Sequence, residues 1–138
     1  MSPISTFLET GQKRVFAGAL DYPGWCRSGR DEASALKALF DYGSRYALAL
    51  KAAGIDFQPP GELAEFVVVE RQTGNTTTDF GAPDSELEAD AVPMDTGEYQ
   101  RQIAILLACW DAFLAAVREA EGAELRKGPR GGGRELDE

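Results

Sequence analysis

The fold is decided by the stretch Arg14-Val15-Phe16-Ala17-Gly18-Ala19-Leu20, which runs directly into Asp21-Tyr22-Pro23-Gly24. The first part is a β-prone run, and the proline and glycine of the second part supply turn geometry, so a strand is predicted to end near residue 20. Residues 4–9 form another β-prone run, and Gly11 between the two runs favours a hairpin turn. The chain is therefore predicted to begin with a small sheet.

Outward from this stretch, residues 25–28 are a possible third strand, and a helix is predicted from about Asp31 to Ala53. Asp31 is a good N-cap, apolar residues then recur at helical spacing, and Gly54 is placed to end the helix. Residues 64–70 are rich in β-branched residues and predict a further strand. The order predicts an α+β lobe over residues 1–72, with a small antiparallel sheet and one packed helix.

Charge is distributed unevenly between the two parts of the chain. Residues 1–72 carry 8 basic and 9 acidic side chains, whereas residues 73–138 carry 6 basic and 14 acidic ones, for a total net charge of −9. The segment 73–97 has six acids and no base. We interpret it as a solvated, flexible acidic connector, and the alternative is a docking surface for a basic partner.

A second long helix is predicted over residues 98–127. Asp95 and Glu98 have the spacing of a helix start, and seven apolar residues follow at i, i+3, i+4 and i+7 positions. This stripe should be buried on the lobe, on a second copy or on further helices, which makes it a candidate contact surface. Its members are Ile103, Leu106, Leu107, Trp110, Phe113, Leu114 and Val117.

Composition excludes several classes of function. The chain has no histidine, which removes Ser-His-Asp and Cys-His catalysis and mixed Cys/His zinc sites. The acidic balance argues against sequence-independent binding to nucleic acid or to an anionic membrane, since both need a basic surface. No signal peptide is expected, and the apolar cluster at residues 103–109 is too short to span a bilayer. Cys26 and Cys109 are expected to be reduced thiols, so a cytoplasmic location is predicted.

The stretch from Arg14 to about Leu50 resembles the HicB-like antitoxin family. The resemblance rests on the strand leading into Asp21-Tyr22-Pro23-Gly24, then Gly29, Glu32-Ala33, Leu36 and Leu39. It implies a partial RNase H-like lobe over about residues 4–72, which in antitoxins contacts a small RNA-cleaving toxin. Two features depart from the family: Trp25 precedes Cys26 where the cysteine often follows the glycine directly, and the basic DNA-binding tail is missing.

The second half is similar to the start of a DinB-like helical bundle, as in uncharacterised bacterial fusions with a HicB-like lobe. The similarity lies in the acidic connector and in the motifs Ala108-Cys109-Trp110-Asp111-Ala112-Phe113 and Leu125-Arg126-Lys127-Gly128-Pro129. DinB-like proteins usually carry metal-binding histidines on later helices, and this chain has none. The resemblance implies either that the chain is truncated or that self-association replaces the missing helices.

The turn from Tyr22 to Arg30 is the second candidate contact surface. It carries Tyr22, Trp25, Cys26, Arg27 and Arg30, and Trp25 is predicted to face a partner. Nearby cations and the helix dipole favour a reactive Cys26 thiolate, but free cysteine is often buried and we favour a packing role. Cys109, beside the stripe, is also expected to pack.

Two further clusters are weaker candidates, one for a metal site and one for a phosphate-binding loop. Asp21, Asp31, Glu32 and Asp41 would suit a nuclease-like metal site, but turns and first helical turns favour the same acids. In the basic, glycine-rich tail of residues 128–138, the triple glycine at 131–133 matches no known phosphate-binding loop. We expect no catalytic, cofactor-binding or metal-binding residues in this chain.

The sequence therefore predicts a non-catalytic interaction or regulatory protein that binds a protein partner or forms a homodimer, with no assignable small-molecule ligand. The alternative is a fragment of a DinB-like, metal- and thiol-dependent transferase whose catalytic half is absent. The two readings differ in whether the reading frame continues beyond Glu138 with histidines.

Overall fold

The computed structural model describes residues 2–128 and 132–136. It is an α+β fold in which the predicted elements occur in the predicted order. The strands are β1 (Ile4–Thr10), β2 (Val15–Ala19), β3 (Cys26–Gly29) and β4 (Phe66–Thr73). The helices are α1 (Glu32–Ala52), α2 (Thr76–Phe80) and α3 (Thr96–Glu119), and 3-10 turns form at Leu63–Glu65 and Glu88–Ala91.

Both ends of α1 form as its sequence predicts. The Asp31 carboxylate accepts a hydrogen bond from the Ser34 amide at 2.7 Å. At the other end, Gly54 has a φ of 74°, and the amides of Gly54 and Ile55 donate to the carbonyls of Lys51 and Leu50. This pair of bonds is a Schellman motif, which needs a left-handed residue and so explains the glycine.

The sheet is mixed, so the prediction of an antiparallel sheet is wrong for one strand. The strand order is β3-β2-β1-β4, and β4 pairs parallel with β1 while the other two pairings are antiparallel. The reason is α1, which follows β3 and returns the chain to the end of the sheet where β3 began. A strand reached through such a helical crossover runs parallel to the strand before it.

The main core lies between α1 and one face of the sheet. Leu8, Leu39 and Leu50 are fully buried there. The approach is close at Gly29, where a Cβ atom would lie 2.5 Å from the Ala35 amide nitrogen. Only a glycine lets α1 lie this near to β3.

The acidic segment lies across the other sheet face, and part of it has secondary structure. Asn75 caps α2 by accepting from the amides of Thr77 and Thr78. Pro83 and Leu87 line a shallow cavity together with Phe7 of β1. The β4 pairing also continues to Thr73, one residue past the predicted end of the lobe.

The second long helix begins two residues earlier than predicted and ends eight residues earlier. Asp95 caps it by accepting from the Glu98 amide at 2.8 Å, as the sequence indicated. After Glu119 the chain turns at Gly122, whose φ of 82° is a left-handed conformation that does not continue a helix. The helix packs against α1, so it belongs to the same folded unit as the lobe.

Candidate interaction surface

The predicted apolar stripe of α3 points away from the lobe. Trp110 is 59% exposed and Phe113 is 67% exposed, and five of the seven residues are at least 47% exposed. Ile103 is less exposed at 38%, and Val117 is half-buried. The sequence allowed the stripe to be buried on the lobe, on a second copy or on further helices. Burial on the lobe is therefore wrong.

The opposite side of α3 attaches to the lobe instead. Ile105 and Ala108 are 1% and 2% exposed, and Ile105 belongs to the main core. At 100° per residue these two positions lie on roughly the opposite side of the helix from Trp110. Sequence reasoning missed them because they fall outside the larger stripe, although Ile105 is an apolar residue that the stripe leaves unexplained.

Arg101 fixes the first turns of α3 to the turn between β2 and β3. Its guanidinium donates to the Asp21 carbonyl at 2.6 Å and lies 4.9 Å from the centre of the Tyr22 ring. It also pairs with Glu98, one turn earlier, at 3.3 Å. The anchor fixes the direction in which the stripe faces.

An apolar cleft of about 340 Å³ opens between this turn and α3. It is continuous with the stripe, because Ile103 and Leu106 belong to both. Its other lining residues are Pro23, Gly24, Met94, Tyr99, Gln102 and Cys109. The exposed surface therefore combines a concave part near the start of α3 with a protruding part near its end.

Trp25 does not face a partner, which corrects the prediction for the turn. It is 1% exposed, stacks on Tyr46 at 5.6 Å between ring centres, and donates from Nε1 to the Leu39 carbonyl at 2.9 Å. Tyr22 is half-buried in the same aromatic cluster, 4.8 Å from Phe57. The aromatic residues of the turn hold α1 and the sheet together.

The two arginines of the turn remain at the surface. Arg27 and Arg30 are exposed, and the Arg27 guanidinium lies 4.4 Å from the Tyr42 ring centre. Arg27 lies on β3, which forms one edge of the sheet. The turn therefore offers two basic side chains without the exposed tryptophan that they were expected to accompany.

The Cys26 thiol is held in its protonated form. Burial raises its pKa to about 11, the negative charge of Glu9 adds to the effect, and Arg27 opposes it. Burial also raises the pKa of the Cys109 thiol, which lines the apolar cleft. These environments fit the packing role that we favoured for both cysteines and contradict a reactive thiolate at Cys26.

Three of the four acids of the suggested metal site, all except Asp21, have separate structural roles. Asp31 caps α1, Glu32 pairs with Arg71 at 3.3 Å, and Asp41 pairs with Lys37 at 2.6 Å. Across residues 2–128 and 132–136, no group of three or more His, Cys, Asp or Glu side chains is placed to hold a metal ion. The suggested phosphate loop falls partly on residues 129–131, outside the described residues.

One buried carboxylate was missed by sequence reasoning. Glu9 is 1% exposed and accepts from the Thr78 hydroxyl and from the amides of Asp84 and Ser85. Burial by itself would raise the pKa of Glu9, but these hydrogen bonds outweigh it and the pKa lies below 4.5. The contact joins β1 to the acidic segment, and no local pattern in the sequence indicates it.

The length of α3 corrects the expectation that the apolar segment of the second half is too short to span a bilayer. This 24-residue helix is long and apolar enough to cross a bilayer, and only 11% of its most apolar 18-residue stretch is buried. The sequence estimate considered residues 103–109 alone. One such helix is weak evidence for a membrane span, because a helix covered by protein passes the same test.

No protein-family model, curated protein or solved structure matches the chain. The HicB-like and DinB-like resemblances therefore stay predictions.

Proposed function

We propose that this chain is a non-catalytic protein-interaction or regulatory protein of the bacterial cytoplasm. In this proposal a HicB-like lobe carries α3 and presents its apolar stripe to another protein. The observation that carries the proposal is the exposure of the stripe, with Trp110 and Phe113 more than half exposed on a helix whose other side is already packed. Contiguous exposed apolar surface of this kind marks interaction sites in soluble proteins.

A protein partner fits α3 better than a lipid bilayer. Ile105 and Ala108 are packed against the lobe, so lipid could not surround the helix without the lobe entering the membrane as well. Asp111 is exposed near the middle of the helix, where a carboxylate costs about 2.5–3.5 kcal/mol on insertion into a membrane. A partner that covers only the stripe leaves Asp111 in water.

The same reasoning favours an interaction role over catalysis. The side chains that could take part in a reaction have structural roles instead. Asp31 caps a helix, Glu9 joins two segments, and Cys26 is held as a neutral thiol. The net charge of −9 opposes sequence-independent binding to nucleic acid. A large apolar surface with aromatic anchors is a common basis of protein recognition.

The test is affinity capture from the native cell with three baits: the wild-type chain, Phe113→Asp and Leu48→Asp. Leu48 is 68% exposed on α1 and serves as a matched control outside the stripe. We expect wild type and Leu48→Asp to retain the same protein, a second copy of the chain included, and Phe113→Asp to lose it. Retention that is equal for all three baits, or absent for all three, would contradict the proposal.

The exposed stripe also bears on the alternative, in which α3 is the first helix of a DinB-like transferase. In that case the stripe would be covered by further helices of the same chain. Sequencing the reading frame beyond Glu138 tests this directly. A continuing frame with amphipathic helices and histidines would favour the transferase, and a stop codon would favour the interaction protein.

A further inference from the structure

The apolar stripe is symmetric about Trp110. Leu107, Leu106 and Ile103 lie three, four and seven residues before it, and Phe113, Leu114 and Val117 lie three, four and seven residues after it. A stripe with this spacing presents the same pattern of apolar positions when the helix is read in either direction. Such a surface is complementary to itself in an antiparallel pairing, which is the requirement of a two-fold interface.

We propose that α3 pairs antiparallel with α3 of a second copy of this chain, with Trp110 on the two-fold axis. This inference rests on the proposed function and names its partner. At 100° per residue, Leu106 and Phe113 lie on one side of Trp110, and Leu107 and Leu114 lie on the other. A two-fold axis keeps each side together, so it places Leu106 opposite Phe113 of the second copy and Leu107 opposite its Leu114. Each copy contributes the same residues, so the contact closes as a dimer.

The shape of the exposed surface supports the same arrangement. The apolar cleft lies beside Ile103 and Leu106, toward the start of α3, and Phe113 protrudes toward the end. In the antiparallel pairing the cleft of one copy meets the protruding half of the other, and this match occurs twice. A parallel pairing would instead place the clefts of the two copies opposite each other, with no protruding side chain to fill either one.

The lobe leaves room for the second copy. Ile105, Ala108 and Arg101 attach α3 to the lobe on the side away from Trp110, so two lobes would lie on the outer sides of the helix pair. The apolar surface from Tyr99 to Val117 extends about 27 Å along the helix. Antiparallel packing also opposes the two helix dipoles, whereas parallel packing would align them.

The first test is sedimentation equilibrium of the whole chain from low to high micromolar concentration. We expect a mass twice the 14.9 kDa of the chain for wild type and for Leu48→Asp. Leu107→Asp and Phe113→Asp should sediment as monomers while their far-ultraviolet circular dichroism stays unchanged, because both side chains are exposed in the single chain. A wild-type monomer throughout this range would overturn the inference.

The second test measures direction. Chains with Leu106→Cys and chains with Phe113→Cys, both lacking Cys26 and Cys109 through alanine substitutions, are mixed and treated with a short thiol crosslinker. We expect crosslinks between the two different variants to form about tenfold faster than crosslinks between like variants, because pairing raises the effective concentration of facing thiols. Faster crosslinking of like variants would show a parallel pair and overturn the proposal.

Failure of this inference is distinguishable from failure of the proposed function. A monomeric wild-type chain that still captures a different protein through Phe113 would refute the homodimer and leave the interaction role intact. A monomeric chain that captures nothing through Phe113 would refute both.

Discussion

The Glu9 carboxylate accepts a 2.7 Å hydrogen bond from the Thr78 hydroxyl, joining residues 69 positions apart. Both side chains are fully buried, and the same carboxylate also holds the amides of Asp84 and Ser85. The acidic segment is in this way tied to the first strand, and it covers part of the sheet face opposite α1.

The first prediction concerns this contact. Glu9→Gln should lower the free energy of unfolding by about 1.5–3 kcal/mol, the usual contribution of hydrogen bonds to a charged group. Urea unfolding at neutral pH measures the change. Glu86→Gln, an exposed acid in the same segment, is the matched control and should be nearly neutral.

The second prediction concerns the pH dependence of the same contact. The pKa of Glu9 is lower in the folded chain than its ordinary value of 4.5, so the ionised carboxylate stabilises the fold above that pH. This stability is lost as the pH falls below 4.5 and through the folded pKa. The difference in unfolding free energy between wild type and Glu9→Gln should therefore shrink over that range, and a constant difference would contradict it.

The third prediction concerns Trp25. Trp25→Ala should destabilise the chain by about 3–5 kcal/mol, because it removes a large buried side chain and its hydrogen bond to the Leu39 carbonyl. If that variant fails to fold, Trp25→Phe should still cost about 1–3 kcal/mol, because the smaller ring leaves a cavity and lacks the Nε1 donor. Thermal unfolding of dilute samples measures both, and Trp110→Ala should have little effect under the same conditions. Equal effects at Trp25 and Trp110 would show that Trp25 is not a core residue.

The fourth prediction compares the two sides of α3. Ile105→Ala should cost about 2–5 kcal/mol at every protein concentration, because Ile105 is buried within the single chain. Phe113→Ala should abolish the rise of Tm with protein concentration that association produces. Differential scanning calorimetry across a concentration series separates the two. A concentration-independent loss at Phe113 would place it inside the monomer.

The fifth prediction concerns Cys26. With its pKa raised from 9.0 to about 11, the thiolate at neutral pH is about a hundredfold rarer than in the unfolded chain. Iodoacetamide should therefore alkylate Cys26 about a hundredfold more slowly in the folded protein than in urea, as followed by mass spectrometry. Equal rates in the two states would show a thiol that the fold does not protect, and a faster rate in the folded protein would show an activated thiol.

Local signals predicted much of the fold. Asp31 and Gly54 bound α1, and Asp95 starts α3, because capping and left-handed turns depend on residues close in the chain. The Pro23-Gly24 turn marks the end of β2 for the same reason. The parallel pairing of β4 follows from the helix between β3 and β4, which the predicted antiparallel sheet did not take into account.

Features that depend on distant contacts were not predictable in this way. The apolar period of α3 identified the helix, but it could not show which side the lobe covers. The lobe takes the side with Ile105 and Ala108 and leaves the bulkier Trp110 exposed. Trp25 appeared exposed because it follows a turn, and its cavity is formed by Leu39, Tyr46 and Phe57 from far along the chain. Glu9 and Thr78 are joined only in three dimensions.

The most direct test of the central claim, that the stripe of α3 is covered by a second copy, is the accessibility of Trp110. The chain has two tryptophans and four tyrosines, so Trp25→Phe leaves Trp110 as the sole tryptophan, which can be excited selectively at wavelengths that tyrosine does not absorb. Circular dichroism verifies that this variant is folded. Acrylamide quenching is then measured over a dilution series. The account predicts a shielded Trp110 at high concentration that becomes readily quenched on dilution, and equally strong quenching at all concentrations would contradict it.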